Sequence, residues 1–167
     1  MLTLHRPSNV DLPDTFARII AALERIAETL PVVFPVHPRT RKTIAELGLT
    51  DRVEAIRNLR LIDPLGYLDF LSLYSSARLV LTDSGGIQEE TTALGIPCLT
   101  LRENTERPIT VELGTNVIVG TDTNRIVAAA YAALNGSAKR ATQQPPLWDG
   151  QTADRILGAL EDHSPQA

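Results

Sequence analysis

Short apolar runs alternate with longer amphipathic stretches along the chain. The apolar runs predict β-strands at residues 2–5, 32–37, 59–62, 78–82, 98–101 and 115–119. Stretches in which apolar residues recur every three or four positions, as in 16–26, predict helices. These helices are expected at about residues 12–30, 38–47, 67–76, 86–94, 108–113, 122–134 and 152–160.

The regular alternation of strand and helix predicts the fold class. Strands joined by helical crossovers pair in parallel, and right-handed crossovers place helices on both faces. We therefore expect an α/β fold with a Rossmann-like parallel sheet. The length of 167 residues fits one domain. Within it we expect a core at 1–134, a surface linker at 135–148, and a C-terminal helix and tail at 149–167.

Composition and charge exclude several classes of function. The net charge is -4 and the basic residues are spread along the chain, which argues against a nucleic-acid partner. The chain has neither a long apolar run nor a secretory leader pattern, so no membrane partner is expected and a cytoplasmic location follows by default. Cys98, the only cysteine, lies in an apolar run and is expected in the core. His163, in the tail, is expected to be exposed to solvent.

The segment 82–90 carries the sharpest chemical signal, because it joins a predicted strand to a predicted helix. Gly85 and Gly86 allow a phosphate to approach the backbone, and a helix N-terminus favours an anion. Ser84 can donate its hydroxyl to that phosphate, and Glu90 can accept hydrogen bonds from ribose hydroxyls. The alternative is that Ser84 only caps the helix and the glycines only form a tight turn. The segment matches neither the dinucleotide fingerprint nor the P-loop, which disfavours NAD and ATP.

Histidine and arginine side chains follow two of the predicted strands. His5 and Arg6 end the first strand, and His37 ends the second, so they are expected along one edge of the sheet. Histidine transfers protons near neutral pH, and arginine binds phosphate. Taken singly, each histidine is more often structural than catalytic. The loop 102–108 is interpreted equally well as a substrate loop or as a solvated one. No metal or other cofactor is expected, since no ligand spacing such as His-Glu-x-x-His occurs.

Several motifs, in order, resemble the C-terminal half of the UDP-N-acetylglucosamine 2-epimerase family, of the non-hydrolysing type. The segment Asp-Ser-Gly-Gly-Ile-Gln-Glu-Glu, followed by Glu-Arg-Pro, is the most specific part. The resemblance spans essentially the whole chain. Its motifs are Leu4-His5-Arg6, Pro35-Val36-His37-Pro38, Ile62 to Tyr67, Leu81 to Glu90, Glu106-Arg107-Pro108, and Asp149 to Ile156.

The resemblance implies one half of a GT-B architecture, in which two Rossmann-like domains enclose the active site. Family members interconvert UDP-GlcNAc and UDP-ManNAc by eliminating UDP to give a 2-acetamidoglucal and then adding it back. The implied roles are carried over by position. They are diphosphate binding for Ser84, Gly85 and Gly86, ribose binding for Glu90, catalysis for His5, substrate contact for Arg102, and contact with a second, activating UDP-GlcNAc for Arg6 and His37.

The resemblance also implies what the chain lacks. The first domain of the family supplies the acidic residues that move the proton at C2, so we expect a missing N-terminal domain as partner, UDP-GlcNAc or UDP as ligand, and no turnover by this chain alone. An uncovered cleft face predicts exposed apolar surface and makes a homodimer one expected outcome. Ser8 stands where some relatives carry Glu, which leaves a carboxylate role there open. The alternatives are a UDP-sugar binding module without turnover, a hydrolysing epimerase, and a glycosyltransferase of GT-B fold.

Overall fold

The structure is a computed structural model that describes residues 1–139, 141 and 144–162. The strands are β1 Leu2–Thr3, β2 Val32–Pro35, β3 Leu59–Ile62, β4 Val80–Thr82, β5 Cys98–Thr100 and β6 Asn116–Ile118. The helices are α1 Pro7–Val10, α2 Pro13–Ala27, α3 Pro38–Glu46, α4 Thr50–Glu54, α5 Tyr67–Ser75, α6 Gly85–Leu94, α7 Pro108–Glu112, α8 Thr123–Ala132 and α9 Thr152–Asp162. His163 lies outside the described residues.

The strands form the parallel arrangement that the sequence predicts. β1 pairs with β4, β4 with β5 and β5 with β6, and β2 pairs with β3, all in parallel. β2 also lies beside β1. The spatial order is therefore β3-β2-β1-β4-β5-β6, which is the order of a Rossmann sheet. The order reverses between β1 and β4, and ligands of such sheets bind at that reversal, beyond the carboxyl ends of the strands.

Apolar side chains cover both faces of the sheet. Leu81 belongs to the larger buried cluster, which also contains the buried residues of α2 and α8, whereas the adjacent Val80 belongs to a second cluster. Consecutive strand residues point to opposite faces, so the two clusters lie on opposite sides of the sheet. The second cluster includes Tyr74 of α5 and Ile87 of α6. Helices therefore pack on both faces, as predicted.

Cys98 confirms the prediction of a core position. Its side chain is fully buried, and burial raises the pKa of the thiol to about 12. A thiolate is the nucleophilic form of cysteine, so this side chain is inert in the folded protein.

The structure differs from the predicted elements in short segments. Residues 7–10 form one helical turn where a plain turn was predicted, and α4 was not predicted. These helices have four and five residues, too few for a helical repeat to stand out in a sequence. Asp122 proves to be the cap of α8, since its carboxylate accepts a hydrogen bond from the Arg125 N–H at 2.9 Å. The stretch predicted as a linker begins inside the segment Ala133–Ser137, which continues α8 until the backbone leaves the helical conformation at Asn135 and Gly136.

α9 lies outside the core. None of its residues is buried, and Ile156 and Leu157 are each more than half exposed. It follows a turn in which the Gln151 N–H donates to the Asp149 carboxylate at 3.0 Å. α9 therefore exposes apolar side chains, whereas apolar surface on the cleft face stays a prediction. In the described part of the chain, no helix is long and apolar enough to cross a membrane.

Candidate functional site

A buried carboxylate joins the carboxyl ends of β1 and β4. Asp83 follows β4, and its side chain is fully shielded from solvent. The carboxylate accepts hydrogen bonds from the backbone N–H of Arg6 at 2.9 Å, from that of His5 at 3.1 Å, and from the Asn9 side-chain amide at 3.2 Å. A buried charge is costly unless donors surround it, and these groups supply them. Asp83 therefore fixes the segment after β1 against β4.

His5 is oriented by the same carboxylate. Its Nδ1 lies 2.9 Å from Asp83 Oδ1, and the histidine side chain is 46% exposed. Because the carboxylate accepts, Nδ1 carries the proton and Nε2 remains for a ligand. Nε2 accepts a proton when the ring is neutral and donates one when it is charged. A histidine held in this way can exchange a proton with an oxygen atom placed at the sheet edge.

The sequence predicted His5 as a site residue but not its partner Asp83. Asp83 lies directly after a predicted strand and opens the most specific motif of the family resemblance, but neither signal gave it a role. Its role depends on the pairing of β1 with β4, which brings together residues 78 positions apart. That pairing is not encoded in the local pattern around either residue.

Ser84 precedes the first turn of α6 without capping it. No side-chain cap hydrogen bond forms at Ser84, and its own N–H donates to the Thr82 hydroxyl at 3.0 Å. Ser84 is the N-cap residue by position, but the alternative that its side chain only caps α6 lacks the hydrogen bond that it requires. Among the described residues its hydroxyl has no partner, so it can bind a ligand that reaches the helix end.

Gly85 and Gly86 form the first helical turn of α6 rather than a tight turn. Neither has a positive φ. A Cβ at Gly86 would meet nothing within 4 Å, and one at Gly85 would meet the Glu106 carboxylate at 3.7 Å, which is ordinary contact. The fold itself thus does not require glycine at either position. Their missing side chains leave the N–H groups of the first turn, which lack intrahelical partners, open to a ligand.

Arg102 holds an anion beside this helix end. Its guanidinium donates to both oxygens of the Glu106 carboxylate, at 2.8 and 3.2 Å. This hydrogen bonding raises the pKa of Arg102 and lowers that of Glu106. Arg6 also lies near, with its Nη2 3.7 Å from Glu106 Oε2. Two arginines and the open helix end therefore converge on one carboxylate of the chain, which marks a place suited to negative charge.

Glu90 lies further along α6 and is held by a buried tyrosine. The Tyr74 hydroxyl donates to the Glu90 carboxylate. Burial and the bond to Glu90 raise the pKa of Tyr74, so its hydroxyl stays protonated and keeps donating. Glu90 is only half-buried, and its carboxylate retains further acceptor capacity. Sequence reasoning found Glu90 but missed Tyr74, which reads as one more apolar position of α5.

His37 has a different environment. It is exposed at the end of β2, and its Nδ1 accepts a hydrogen bond from the Arg39 N–H at 3.3 Å, which caps α3. Within the described residues, no hydrogen bond or ion pair joins His37 to His5, Asp83 or Arg102. Both histidines lie at the predicted sheet edge, but only His5 is tied to the carboxylate.

Two cavities help to locate the site. A polar cavity of about 290 Å³ lies beside Arg102 and is also lined by Ser8 and Asn9, so it adjoins the groups described above. A more apolar cavity of about 320 Å³ lies at the amino ends of the strands, where Val32 and Leu79 line it. It contains none of the predicted site residues, and ligands of parallel sheets bind at the other end. Among the described residues, no group of three or more His, Cys, Asp or Glu side chains is arranged to hold a metal.

Comparison with known proteins identifies relatives of the chain. The family model of UDP-N-acetylglucosamine 2-epimerases matches residues 1–161. The chain is 41% identical over 162 residues to the UDP-N-acetylglucosamine 2-epimerase of Methanocaldococcus jannaschii, covering 96% of this chain and 43% of that protein. It is 44% identical over 161 residues to the UDP-2,3-diacetamido-2,3-dideoxy-D-glucuronate 2-epimerase of Pseudomonas aeruginosa, again over 96% of this chain and 43% of the relative.

A solved structure extends the comparison to three dimensions. The crystal structure of the M. jannaschii UDP-GlcNAc 2-epimerase in complex with UDP-GlcNAc and UDP matches with a TM-score of 0.87 and 40% identity. The match covers 96% of this chain and 44% of that one. The chain therefore spans less than half the length of these relatives, which agrees with the expectation of one half of a GT-B architecture.

Proposed function

The chain belongs to the UDP-N-acetylglucosamine 2-epimerase family, and from that premise we propose that it is the UDP-binding half of an enzyme that interconverts UDP-GlcNAc and UDP-ManNAc. The partner is the remaining, N-terminal half, since the relatives are more than twice as long as the part this chain matches. Alone, the chain binds UDP or UDP-GlcNAc and does not turn it over.

Two glycines that the fold does not require carry the proposal. Gly85 and Gly86 have neither a positive φ nor a crowded Cβ position, and they lie at the N-terminus of a ten-residue helix. The N–H groups and the dipole of that helix end favour a diphosphate. The unpaired hydroxyl of Ser84 and the guanidinium of Arg102 add donors at the same place. A diphosphate bound there occupies the space beside the Glu106 carboxylate, at the N-terminus of α6.

The reaction follows from holding the leaving group. A base from the other half removes the proton at C2, the C1–O bond breaks, and its electron pair leaves with UDP to give the 2-acetamidoglucal. Negative charge develops on the phosphate oxygen, and the arginine and helix donors stabilise it. His5, with Nδ1 engaged by Asp83, presents Nε2 to that oxygen and offsets its charge. Because UDP stays bound, it can add back while the proton returns to the opposite face of C2.

The remaining predicted residues complete the nucleotide site. Glu90, held by Tyr74, accepts hydrogen bonds from the ribose hydroxyls. Arg6 and His37 lie on the same sheet edge, since β1 and β2 are neighbours. We assign them to the second UDP-GlcNAc molecule that the family resemblance implies as an activator.

Calorimetric titration of the chain with UDP, with ADP as the selectivity control, tests the site. Gly85→Ala and Gly86→Ala are the informative variants, because a methyl group fits the empty fold yet blocks the phosphate. We expect each to weaken UDP binding at least tenfold while the melting temperature stays or rises, since alanine favours a helix by about 0.5–1 kcal/mol over glycine. Gly158→Ala is the matched control, a helical glycine in α9 whose Cβ, like one at Gly86, would meet nothing within 4 Å.

Unchanged UDP affinity in both variants would show that the diphosphate does not bind at this helix end. If the unaltered chain melts cooperatively yet binds no UDP, then nucleotide binding requires the other half, and the same titration with that half added separates this case from a misplaced site.

A second candidate concerns the sugar. The P. aeruginosa relative, at 44% identity, is named for a differently substituted UDP-sugar. The side chains assigned here contact the nucleotide, which both substrates share. Competition of UDP-GlcNAc against other UDP-sugars, measured in the assembled enzyme, decides between an epimerase for UDP-GlcNAc and one for a related sugar.

A further inference from the structure

Gln88 bridges three parts of the molecule without reaching the ligand site itself. It lies on α6, one turn after the glycines, and its side chain is fully buried. Its Oε1 accepts a hydrogen bond from the Thr105 hydroxyl at 2.5 Å and another from the Asn116 side-chain amide at 3.1 Å. Helix α6, strand β6 and the segment 102–107, here called the arginine loop, therefore meet at one oxygen atom.

The direction of these hydrogen bonds is fixed by their neighbours. The Thr100 hydroxyl lies 2.6 Å from Asn116 Oδ1 and donates to it, so the Asn116 amide nitrogen faces Gln88. The Thr105 hydroxyl oxygen accepts from the Arg107 N–H at 2.9 Å, which leaves its proton for Gln88. A network in which each donor has a defined acceptor holds one arrangement of the side chains.

Packing alone does not explain an amide at this position. In the described part of the chain, the Gln88 side-chain nitrogen is buried without a hydrogen-bond partner. Leaving a buried donor unpaired costs about 1–3 kcal/mol, a cost that an apolar side chain of similar length would avoid. The contribution of Gln88 must therefore come through its oxygen, and the strongest bond of that oxygen goes to the arginine loop.

The arginine loop has few other anchors to α6. Arg107 pairs with Glu89 at 3.0 Å, but both side chains are well exposed, and such pairs contribute little. Arg102 pairs with Glu106 within the loop itself, which does not tie the loop to the helix. The bond from Thr105 to Gln88, whose acceptor is fully buried, is thus better shielded from solvent than these ion pairs.

We propose that Gln88 is a positioning residue, whose bond to Thr105 holds the arginine loop so that Arg102 can act on a diphosphate at the N-terminus of α6. This inference rests on the proposed function, since it takes the diphosphate site as given. Gln88 does not touch the ligand. Its effect passes through Thr105 and Arg102, so it must depend on both.

Thr105 offers the sharper experiment, because it is only partly buried and its variants can be nearly isosteric. Binding of UDP and of uridine is measured for the intact chain, for Thr105→Val and for Thr105→Ser. We expect Thr105→Val to weaken UDP binding about tenfold, as for one lost hydrogen bond of about 1.4 kcal/mol, and to leave uridine binding unchanged. Thr105→Ser retains the hydroxyl and is expected to restore UDP binding. Thr29→Val removes a hydroxyl at the other end of the sheet and serves as control.

A double-mutant cycle with Arg102→Ala tests the route of the effect. In the Arg102→Ala background, Thr105→Val is expected to cost no further UDP affinity, since the group that it positions is gone. Gln88→Met should reproduce the Thr105→Val result where it folds. If it does not fold, the Thr105 variants decide alone.

Three outcomes overturn the inference and leave the proposed function intact. These are no loss of UDP affinity in Thr105→Val, an equal loss for uridine, or a full loss that persists in the Arg102→Ala background. Unchanged UDP binding in Arg102→Ala likewise overturns only the inference, since the two glycines carry the proposed function. A different outcome removes both: the unaltered chain binds uridine and binds UDP no better. The two failures are therefore distinguishable in one set of titrations.

Discussion

The two histidines at the ends of β1 and β2 have similar sequence surroundings and different partners. His5 and His37 each end a strand, and each is followed closely by an arginine. In the structure, His5 Nδ1 lies 2.9 Å from the buried carboxylate of Asp83, whereas His37 Nδ1 accepts from the N–H of Arg39, two residues away. The partner of His5 comes from across the sheet, and the partner of His37 comes from its own turn.

This difference shows what determines the reactivity of a residue at the end of a strand. A local partner such as the Arg39 N–H caps the following helix, and because it donates to Nδ1 it leaves the proton of the neutral ring on Nε2. A carboxylate from a neighbouring strand fixes both the tautomer and the orientation of the ring. β1 is adjacent to β4 at the point where the strand order reverses, so His5 gains such a partner.

The largest expected effect comes from removing the charge behind His5. Asp83→Asn keeps the size of the side chain but presents an amide to donors that need a carboxylate. Because Asp83 is fully buried and accepts from His5, Arg6 and Asn9, we expect the free energy of unfolding to fall by about 3 kcal/mol. Urea denaturation measures this. Asp63→Asn, at an exposed carboxylate paired with Arg41, is the control and should change stability little.

A smaller effect is expected when the ring of His5 itself is changed. His5→Gln removes the group that faces the leaving phosphate, and we expect UDP affinity to fall about tenfold, as for loss of one charge-assisted hydrogen bond. The loss for His37→Gln should be smaller, because nothing across the sheet directs that ring towards the diphosphate. Calorimetry on both variants makes the comparison. Equal losses would show that the Asp83 contact does not distinguish the two histidines.

At the end of β2, the histidine is expected to contribute to stability rather than to UDP binding. His37→Ala removes the acceptor that caps α3 and should lower the free energy of unfolding by about 0.5–1 kcal/mol. His37→Ser supplies another capping oxygen and should retain the stability. Thermal melting of the two variants checks this. If His37→Ala is as stable as the unaltered chain, the 3.3 Å contact contributes nothing to the free energy of unfolding.

Most of the fold was predictable because it repeats a periodic pattern. All six strands and the helices of nine or more residues follow from apolar spacing, and β3 was predicted with its observed bounds. The four-residue α1 and the five-residue α4 were not predicted, since so few residues show no helical period, whereas the equally short α7 was predicted from Pro108 at its start and Gly114 after its end. The parallel order could be argued from the crossovers, and the structure confirms it.

Candidate site residues could be proposed from the sequence where they lie in one continuous motif or directly after a predicted strand. Ser84, Gly85, Gly86 and Glu90 lie in one run and could be identified together. Asp83 and Tyr74 could not be assigned roles, because their partners lie 78 and 16 positions away. Such contacts depend on strand pairing and helix packing, and no local pattern encodes them.

The smallest expected effect is a contribution of the Glu24–Arg52 pair to the free energy of unfolding, which is lost in acid. The histidine variants must be compared at a pH where this contribution does not change. Arg52 donates to both oxygens of Glu24, at 2.7 and 2.9 Å, and this bonding, against the opposing effect of burial, lowers the pKa of Glu24 below its ordinary 4.5. A lowered pKa in the folded state means that the stabilisation is complete above the unfolded value and is lost as the pH falls through the folded one. Both side chains are more than a third exposed, so we expect about 0.5 kcal/mol at most.

Glu24→Gln tests this sign directly. The unaltered chain should be more stable than the variant at pH 7, and the difference should shrink towards zero as the pH falls below about 4, because protonated Glu24 and glutamine are then nearly equivalent. Denaturation curves at several pH values measure it. Glu46→Gln is the control, since its i, i+4 pair with Lys42 is still more exposed. A difference that grows on acidification would contradict the assigned direction. Above pH 5 this contribution is constant, so differences between His5 and His37 variants measured there arise from the histidines and their partners alone.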